Sequence, residues 1–134
     1  MGPLTLRNES DATVTLERVA LLDVDPGLEL IDNVVVQPDG RHPLVGGVHG
    51  YPPPEPGGTT HAVRGYKLEP ARSRADVVQV LFGLRLTRPA RAGARRIAVD
   101  YRVGRVPYRA YFDHSMWLCT WRISEEGACI DPDW

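Results

Sequence analysis

Four histidines are the residues of this chain best able to do chemistry through a metal ion. His42, His49 and His61 lie in one stretch of the sequence, and His114 follows much later. Imidazole is a common ligand for zinc and copper, so the first three could converge on one ion. Their spacing fits no standard zinc pattern, and histidines in loops are usually solvated. A zinc or copper site using two or three of these histidines is therefore the alternative hypothesis, and the main expectation is no cofactor.

A second reactive group comprises His114, Ser115, Met116 and Cys119. Copper binding would need histidine and sulfur on one side, but in a strand His114 and Met116 share a face from which Cys119 points away. Adjacent strand residues also face opposite sides, so His114 cannot activate Ser115 as a nucleophile. No phosphate-loop, nucleophile-elbow or metalloprotease pattern occurs in the sequence. We therefore expect no catalytic residues and a protein that is not an enzyme.

The only two cysteines, Cys119 and Cys129, lie close together near the end of the chain. Their even number and short separation favour a disulfide that closes a terminal loop and contributes roughly 3 kcal/mol. Two free thiols are the alternative reading. Because disulfides persist in oxidising compartments, the pair predicts an extracytoplasmic protein, secreted or membrane-anchored. The first residues do not resemble a signal peptide, so we expect the leader to be absent from this sequence.

Composition limits the partners that the protein can have. The 134 residues suit one domain, and 43% hydrophobic and 25% charged residues are ordinary for a folded globular chain. Sixteen basic side chains nearly balance seventeen acidic ones, which argues against nucleic acid. No apolar run is long enough to span a membrane. We expect a protein partner at the cell envelope, no nucleic acid and no membrane span.

The elements that carry these residues are predicted to be strands, since apolar and polar residues alternate along most of the chain. The first strand contains Leu4 and Leu6, and a second begins at Val14 and changes phase at Glu17-Arg18, which indicates a β-bulge. A turn at Asp25-Pro26-Gly27 precedes a third strand over 28–36. The clearest strand carries apolar residues on one face at Val78, Val80, Phe82, Leu84 and Leu86.

A hairpin centred on Gly104-Arg105 has a register that the sequence itself specifies, because glycine at the first position suits a type II′ turn. Pairing Val103 with Val106 builds one apolar face from the pairs Tyr101/Tyr108, Val99/Ala110 and Ile97/Phe112. The other face then places Asp100 opposite Arg109 and Arg96 opposite Asp113, both favourable charge pairs. A shift by one residue would lose both faces.

Residues 37–58 are dense in proline and glycine, include Tyr51-Pro52-Pro53-Pro54 and show no periodicity. A loop this long is usually functional or mobile. Its proline run either stiffens a crossing between sheets or forms a polyproline II segment for a partner. The chain ends in Trp134, an aromatic residue that could dock on the domain or on a partner. Tyr51 and Trp134 are therefore the predicted partner contacts.

A recurring pattern spans most of the chain: Leu4-x-Leu6-x-Asn8, Val14-Thr15-Leu16-x-x-Val19, Gly65-Tyr66-x-Leu68-x-Pro70 and Val99-x-Tyr101-x-Val103-Gly104, with Tyr108 and a late cysteine. With this pattern the chain resembles a group of exported or lipid-anchored actinobacterial proteins of unassigned function. The resemblance implies an immunoglobulin-like accessory domain, although the immunoglobulin arrangement of Cys, Trp and Cys across two sheets is absent. No site residue follows from it.

The sequence thus predicts an all-β protein, an immunoglobulin-like antiparallel β-sandwich of about seven or eight strands. We expect a single domain over 1–134 with a long Pro/Gly-rich loop at 37–58. The expected function is that of a non-enzymatic extracytoplasmic binding or accessory domain.

Overall fold

A computed structural model describes residues 4–38, 58–87, 91–119, 122–123 and 129–130, and within these ranges the regular secondary structure is β-strand. In chain order these are β1 (Leu4–Leu6), β2 (Val14–Val24), β3 (Leu28–Pro38), β4 (Gly58–Ala62), β5 (Lys67–Leu68), β6 (Val78–Leu86), β7 (Arg91–Val103), β8 (Val106–Phe112), β9 (Met116–Cys119), β10 (Arg122–Ile123) and β11 (Cys129–Ile130). Gln37, Pro38 and Gly58, predicted to lie in the long loop, belong to β3 and β4. The rest of that loop lies outside the described residues.

The first nine strands form two antiparallel sheets that pack as a sandwich, which confirms the predicted fold class. The four-stranded sheet has the order β1-β6-β3-β4, and the five-stranded sheet has the order β5-β2-β7-β8, with β9 also paired to β7. One end of β7 pairs with β8 and the other with β9. The strands β8 and β9 therefore succeed each other along one edge of β7, while β2 occupies the opposite edge.

The core lies between the two sheets and is built from the alternating apolar residues. Its largest fully buried side chains are Leu16, Val35, Val80 and Ile97. Complete burial of one such side chain stabilises the fold by roughly 1.5–3 kcal/mol. The predicted strand Val78–Leu86 is observed with these bounds as β6.

The two predicted turns form with the expected geometry. Between β2 and β3, the Leu28 amide donates to the Asp25 carbonyl at 3.3 Å and Gly27 has a φ of 92°, as a type II turn requires. In the hairpin, Gly104 has a φ of 61° and Arg105 keeps a negative φ, which is the type II′ pattern. The register is also the predicted one, from Val103–Val106 through Ile97–Phe112.

Two of the long strands, β2 and β3, contain a bulge. The pairing of β2 with β7 shifts between Leu16 and Arg18, which confirms the bulge predicted from the change of phase. A second shift occurs in β3 between Leu30 and Asp32. Bulges bend strands and increase their local twist, so each one re-aims the side chains beside it.

An irregularity in β7 changes which residues reach the surface. Ala94 and Ile97 are both fully buried although they are three positions apart, a spacing that would put them on opposite faces of a regular strand. On the neighbouring edge, the three residues Asp113–Ser115 stand opposite the two residues Arg95 and Arg96. Both arginines are therefore available to the surface.

These two arginines pair with aspartates at the end of β2. Arg95 Nη1 lies 2.9 Å from Asp25 Oδ1, and Arg96 Nε lies 2.8 Å from Asp23 Oδ2. The predicted cross-strand pairing of Arg96 with Asp113 is wrong, because the extra residue moves Asp113 out of register. The hydrogen bond to Asp23 is the main cause of the raised pKa of Arg96, and Asp113 adds a smaller electrostatic effect.

Asn8 is a buried polar residue that ties the first loop to β5. Its side-chain amide donates to the Ala12 carbonyl at 2.7 Å and to the Leu68 carbonyl at 2.8 Å, while its oxygen accepts from the Ser10 hydroxyl at 2.6 Å. Because buried polar atoms are costly without partners, this full set of bonds explains how Asn8 can be buried.

Candidate binding surface

The structure does not bring the two described histidines together. His61 lies in β4 of the four-stranded sheet, where its ring contacts Tyr66 with centroids 5.3 Å apart. Its Nε2 atom is buried and has no hydrogen-bond partner among the described residues. His114 follows β8 at the edge of the other sheet, where its amide donates to the Phe112 carbonyl at 3.0 Å.

Some of the residues predicted to bind a metal ion or a partner are not described by the structure. His42, His49, Tyr51 and Trp134 lie outside the described residues. Within the ranges that the structure covers, no group of three or more His, Cys, Asp or Glu could hold a metal ion. The histidine site thus stays a prediction.

The predicted disulfide also stays a prediction. Cys119 ends β9 half-buried and is not a free thiol. The backbone of Cys129 begins β11, but its side chain lies outside the described part of the chain. Met116, the neighbouring sulfur residue, is buried in the core.

A groove of about 500 Å3 opens between β2 of one sheet and β3 and β4 of the other. Three of its polar side chains, Glu17, Asp32 and Asn33, already have partners within the chain. Glu17 pairs with Arg102 of β7, and the Asn33 amide donates to the Val19 carbonyl at 3.2 Å. These contacts join the bulged strands β2 and β3 to their neighbours. The polar side chains of the groove therefore have a structural role.

The exposed apolar surface is concentrated on β8. Val106, Tyr108 and Tyr111 expose 52%, 49% and 58% of their surface, and they account for three of the five exposed large hydrophobic residues in the described chain. Among those described residues, β8 pairs with β7 alone, so it is an edge strand of the five-stranded sheet. Clustered apolar exposure beside an unpaired edge is characteristic of an interaction surface.

The hairpin register fixes which backbone groups of β8 face outwards. Val103 and Val106 flank a two-residue turn and therefore exchange hydrogen bonds, and such pairs alternate along an antiparallel ladder. The amides of Tyr108, Ala110 and Phe112 consequently point to β7. The backbone groups of the residues between them point to the open edge, where Arg109 and Tyr111 offer both N–H and C=O, and Pro107 offers only C=O.

Side-chain contacts hold the exposed residues of β8 in defined positions. Arg109 donates to both carboxylate oxygens of Asp100, at 2.6 and 3.0 Å, so the charge pair predicted from the register is confirmed. This contact lowers the pKa of Asp100 and raises that of Arg109. Tyr108 stacks on Tyr101 with centroids 5.5 Å apart, and the Arg96 guanidinium lies 5.8 Å from the centre of the Tyr111 ring. The surface is therefore preorganised.

The sequence identified the strand but not its exposure. The sequence predicts Tyr108 in a hairpin, whereas the contacts that it predicts are Tyr51 and Trp134. The position of β8 at a sheet edge depends on the order of distant strands, which alternation does not specify. The one local signal is Pro107, because proline within a sheet is confined to edge strands, strand starts and bulges.

No helix in the described ranges is long and apolar enough to cross a membrane. Comparison with known protein families, with characterised proteins and with solved structures finds no match for this chain.

Proposed function

We propose that this chain is a non-enzymatic, extracytoplasmic binding domain that uses β8 to add a strand from a protein partner. The observation that carries the proposal is the edge position of β8 together with its exposed residues Val106, Tyr108 and Tyr111. In strand addition, backbone hydrogen bonds provide affinity and alternate side chains provide specificity. The β8 strand supplies both, since its outward amides stand beside ordered aromatic rings.

The ladder between β8 and the partner strand would be short. Pro107 lacks an amide at one end of β8, and the bulge at Asp113–Ser115 interrupts the edge at the other. Proteins use prolines and bulges to limit uncontrolled pairing of edge strands. The remaining stretch, Arg109–Tyr111, can accept a brief extended segment but not a long ladder, which favours a selective partner over aggregation.

The extracytoplasmic location rests on the predicted Cys119–Cys129 disulfide and on the resemblance to exported proteins. Disulfides persist outside the reducing cytoplasm. A protein partner at the cell envelope is consistent with both arguments.

A photo-crosslinking amino acid at position 111 tests the proposal in the native host cells. We expect Tyr111 carrying the crosslinker to form an adduct with a protein that mass spectrometry identifies. The same crosslinker at Thr59, an exposed residue of β4 in the other sheet, is the matched control and should give no such adduct. Equal labelling from both positions, or no adduct from position 111, would show that β8 is not the contact.

Two variants separate the backbone from the side chain in this assay. Arg109→Pro removes an outward amide, whereas Arg109→Ala keeps that amide and loses only the side-chain contacts of Arg109 with Asp100 and Tyr111. Strand addition predicts that the adduct disappears in Arg109→Pro and persists in Arg109→Ala. Loss in both variants would instead assign the contact to the guanidinium.

A further inference from the structure

We infer that the strand added to β8 is β8 of a second copy of this chain, an inference that rests on the proposed function. The two five-stranded sheets would then join into one continuous antiparallel sheet across a twofold axis. A twofold interface uses the same surface on both subunits, so β8 must be complementary to itself. The backbone N–H and C=O groups on the open edge of β8, and its side chains, are complementary to a second β8 in one particular register.

Length singles out β8 among the outer strands of the two sheets. The other outer strands are β1, β4, β5 and β9, with three, five, two and four residues, whereas β8 has seven. The exposed residues of β4 are small and polar, including Thr59 and Thr60, and give a partner little apolar surface. Only β8 combines a ladder of useful length with exposed aromatic rings.

The backbone limits the possible registers. Arg109 and Tyr111 carry the outward N–H and C=O groups, so they must lie opposite outward residues of the second copy. If Arg109 faces Tyr111 of the second copy, the symmetry repeats the pair and four backbone hydrogen bonds form. Pro107, which has no amide to give, then stands opposite Asp113, beyond the end of β8. The missing donor is thus placed where the ladder ends.

The same register gives favourable side-chain neighbours. On the outer face, each Arg109 meets Tyr111 of the other copy, a cation–π pair in place of two facing arginines. On the inner face, Tyr108 meets Phe112, and the small residue Ala110 meets its own counterpart on the axis. Shifting the register to place Arg109 opposite Arg109 would put like charges directly across the ladder, which is destabilising.

The charge near the axis is already compensated within each copy. Arg109 is held by Asp100 at 2.6 Å, so two copies can approach without an unpaired cation at the interface. Tyr111, 58% exposed, lies beside Arg96 and Arg109 of its own chain and would also gain Arg109 of the other copy. Rings and guanidinium groups would therefore alternate across the junction.

Cysteine crosslinking tests both the dimer and its register. In the inferred register, Ala110 pairs with itself at a position without hydrogen bonds, where Cα atoms lie about 4.5 Å apart, within the range for a disulfide. Ala110→Cys should therefore form a disulfide-linked dimer under mild oxidation. Tyr108→Cys is the matched control, because the two copies of residue 108 would be roughly 13 Å apart along the strands. The wild-type protein gives the background from its native cysteines.

Sedimentation of the purified full chain measures the unlinked association. We expect a reversible dimer within a concentration range reaching about 1 mM, since a short edge pairing buries little surface. Tyr111→Pro removes one outward amide from each copy and should weaken the dimer by about tenfold or more. Tyr111→Phe keeps the amide and the ring, and should weaken it by less than about threefold.

The inference is overturned if Ala110→Cys forms no more linked dimer than Tyr108→Cys, or if the wild-type chain stays monomeric over that range. The cysteine variants contain no added proline. The crosslinking test is therefore valid even if Tyr111→Pro does not fold. In cells, an adduct from position 111 with a different protein would keep the proposed function and refute the second copy. An adduct of the chain with itself supports both.

Discussion

At the scale of single residues, Gly93 determines how Trp117 lies against the five-stranded sheet. The two residues are cross-strand neighbours, and the indole ring is flanked by the guanidinium groups of Arg91 and Arg95, 4.4 and 5.2 Å from its centre. A Cβ atom at position 93 would come within 2.5 Å of both the Met116 carbonyl oxygen and the Trp117 ring. Only glycine leaves room for this arrangement.

We therefore expect Gly93→Ala to lower the free energy of unfolding by about 1–3 kcal/mol, because a backbone oxygen cannot move aside cheaply. Urea denaturation measures the loss. Gly104→Ala is the comparison, since an added Cβ there meets nothing within 4 Å and the cost comes only from the positive φ, about 1 kcal/mol. If Gly93→Ala were as stable as the wild type, Trp117 of β9 would not pack against Gly93 as described.

Residue-level predictions succeeded where local pairing decided them. The Asp100–Arg109 contact followed from the hairpin register, since the turn at Gly104 fixes every pair beyond it. The Arg96–Asp113 pair failed because the extra residue in Asp113–Ser115 breaks that register. The exposure of Tyr108 and Tyr111 could not be predicted, because it depends on which distant strand lies beside them.

At the scale of elements, the end of β2 and the part of β7 around Arg95 and Arg96 are joined by a charge cluster. Arg95 donates to both oxygens of Asp25, at 2.9 and 3.3 Å, and the Gly93 amide donates to Asp25 Oδ2 at 3.0 Å. The Asp23 carboxylate binds Arg96, and its backbone adopts a φ of 52°. Two ion pairs thus connect the end of β2 to β7.

This cluster makes the junction sensitive to acid. The hydrogen bond from Arg95, helped by the Gly93 amide, holds the pKa of Asp25 below its ordinary value of 3.8. The unfolded chain therefore binds the proton more readily, so the contribution of Asp25 to stability is complete above 3.8 and is lost as the pH falls through the lower folded value. We expect Asp25→Asn to lose less stability than wild type between about pH 5 and about pH 2.

Urea midpoints measured across that range check the expectation. Arg95→Ala should flatten the acid dependence in part, since the Gly93 amide still binds Asp25, and the double variant should be no flatter than Asp25→Asn, because Asp25→Asn already removes the contact with Arg95. Parallel curves for wild type and Asp25→Asn would show that the contact does not persist in solution. Asp100, whose pKa is lowered by Arg109, contributes a similar acid dependence in every variant.

At the scale of the whole molecule, alternation predicted the class of fold but not the order of the strands. Period-two patterning marks which residues are buried, and it placed Val78–Leu86 correctly. It cannot state that β1 pairs with β6 or that β3 lies between β6 and β4, because those contacts join segments far apart in the sequence. Gln79 shows the same limit, since it lies on the polar face of the predicted strand and is nonetheless buried.

The strand β1 shows how much the sandwich depends on such a distant contact. Its three residues pair with Val78–Val80 of β6, and Leu4 and Leu6 are buried in the core while Thr5 between them is exposed. We expect Leu6→Ala to cost about 2–5 kcal/mol, a large part of the 5–15 kcal/mol available to a small domain. Thr5→Ala, on the same strand, should change stability by less than about 0.5 kcal/mol.

Urea denaturation and light scattering of the two variants separate packing from edge protection. Loss of β1 would leave the outer edge of β6 without its partner, and an unpaired apolar edge promotes association. Leu6→Ala should therefore unfold at lower urea and also scatter more light at concentrations where Thr5→Ala remains clear. Equal stability of the two variants would mean that β1 does not hold its place in solution, and the four-stranded sheet would then end at β6.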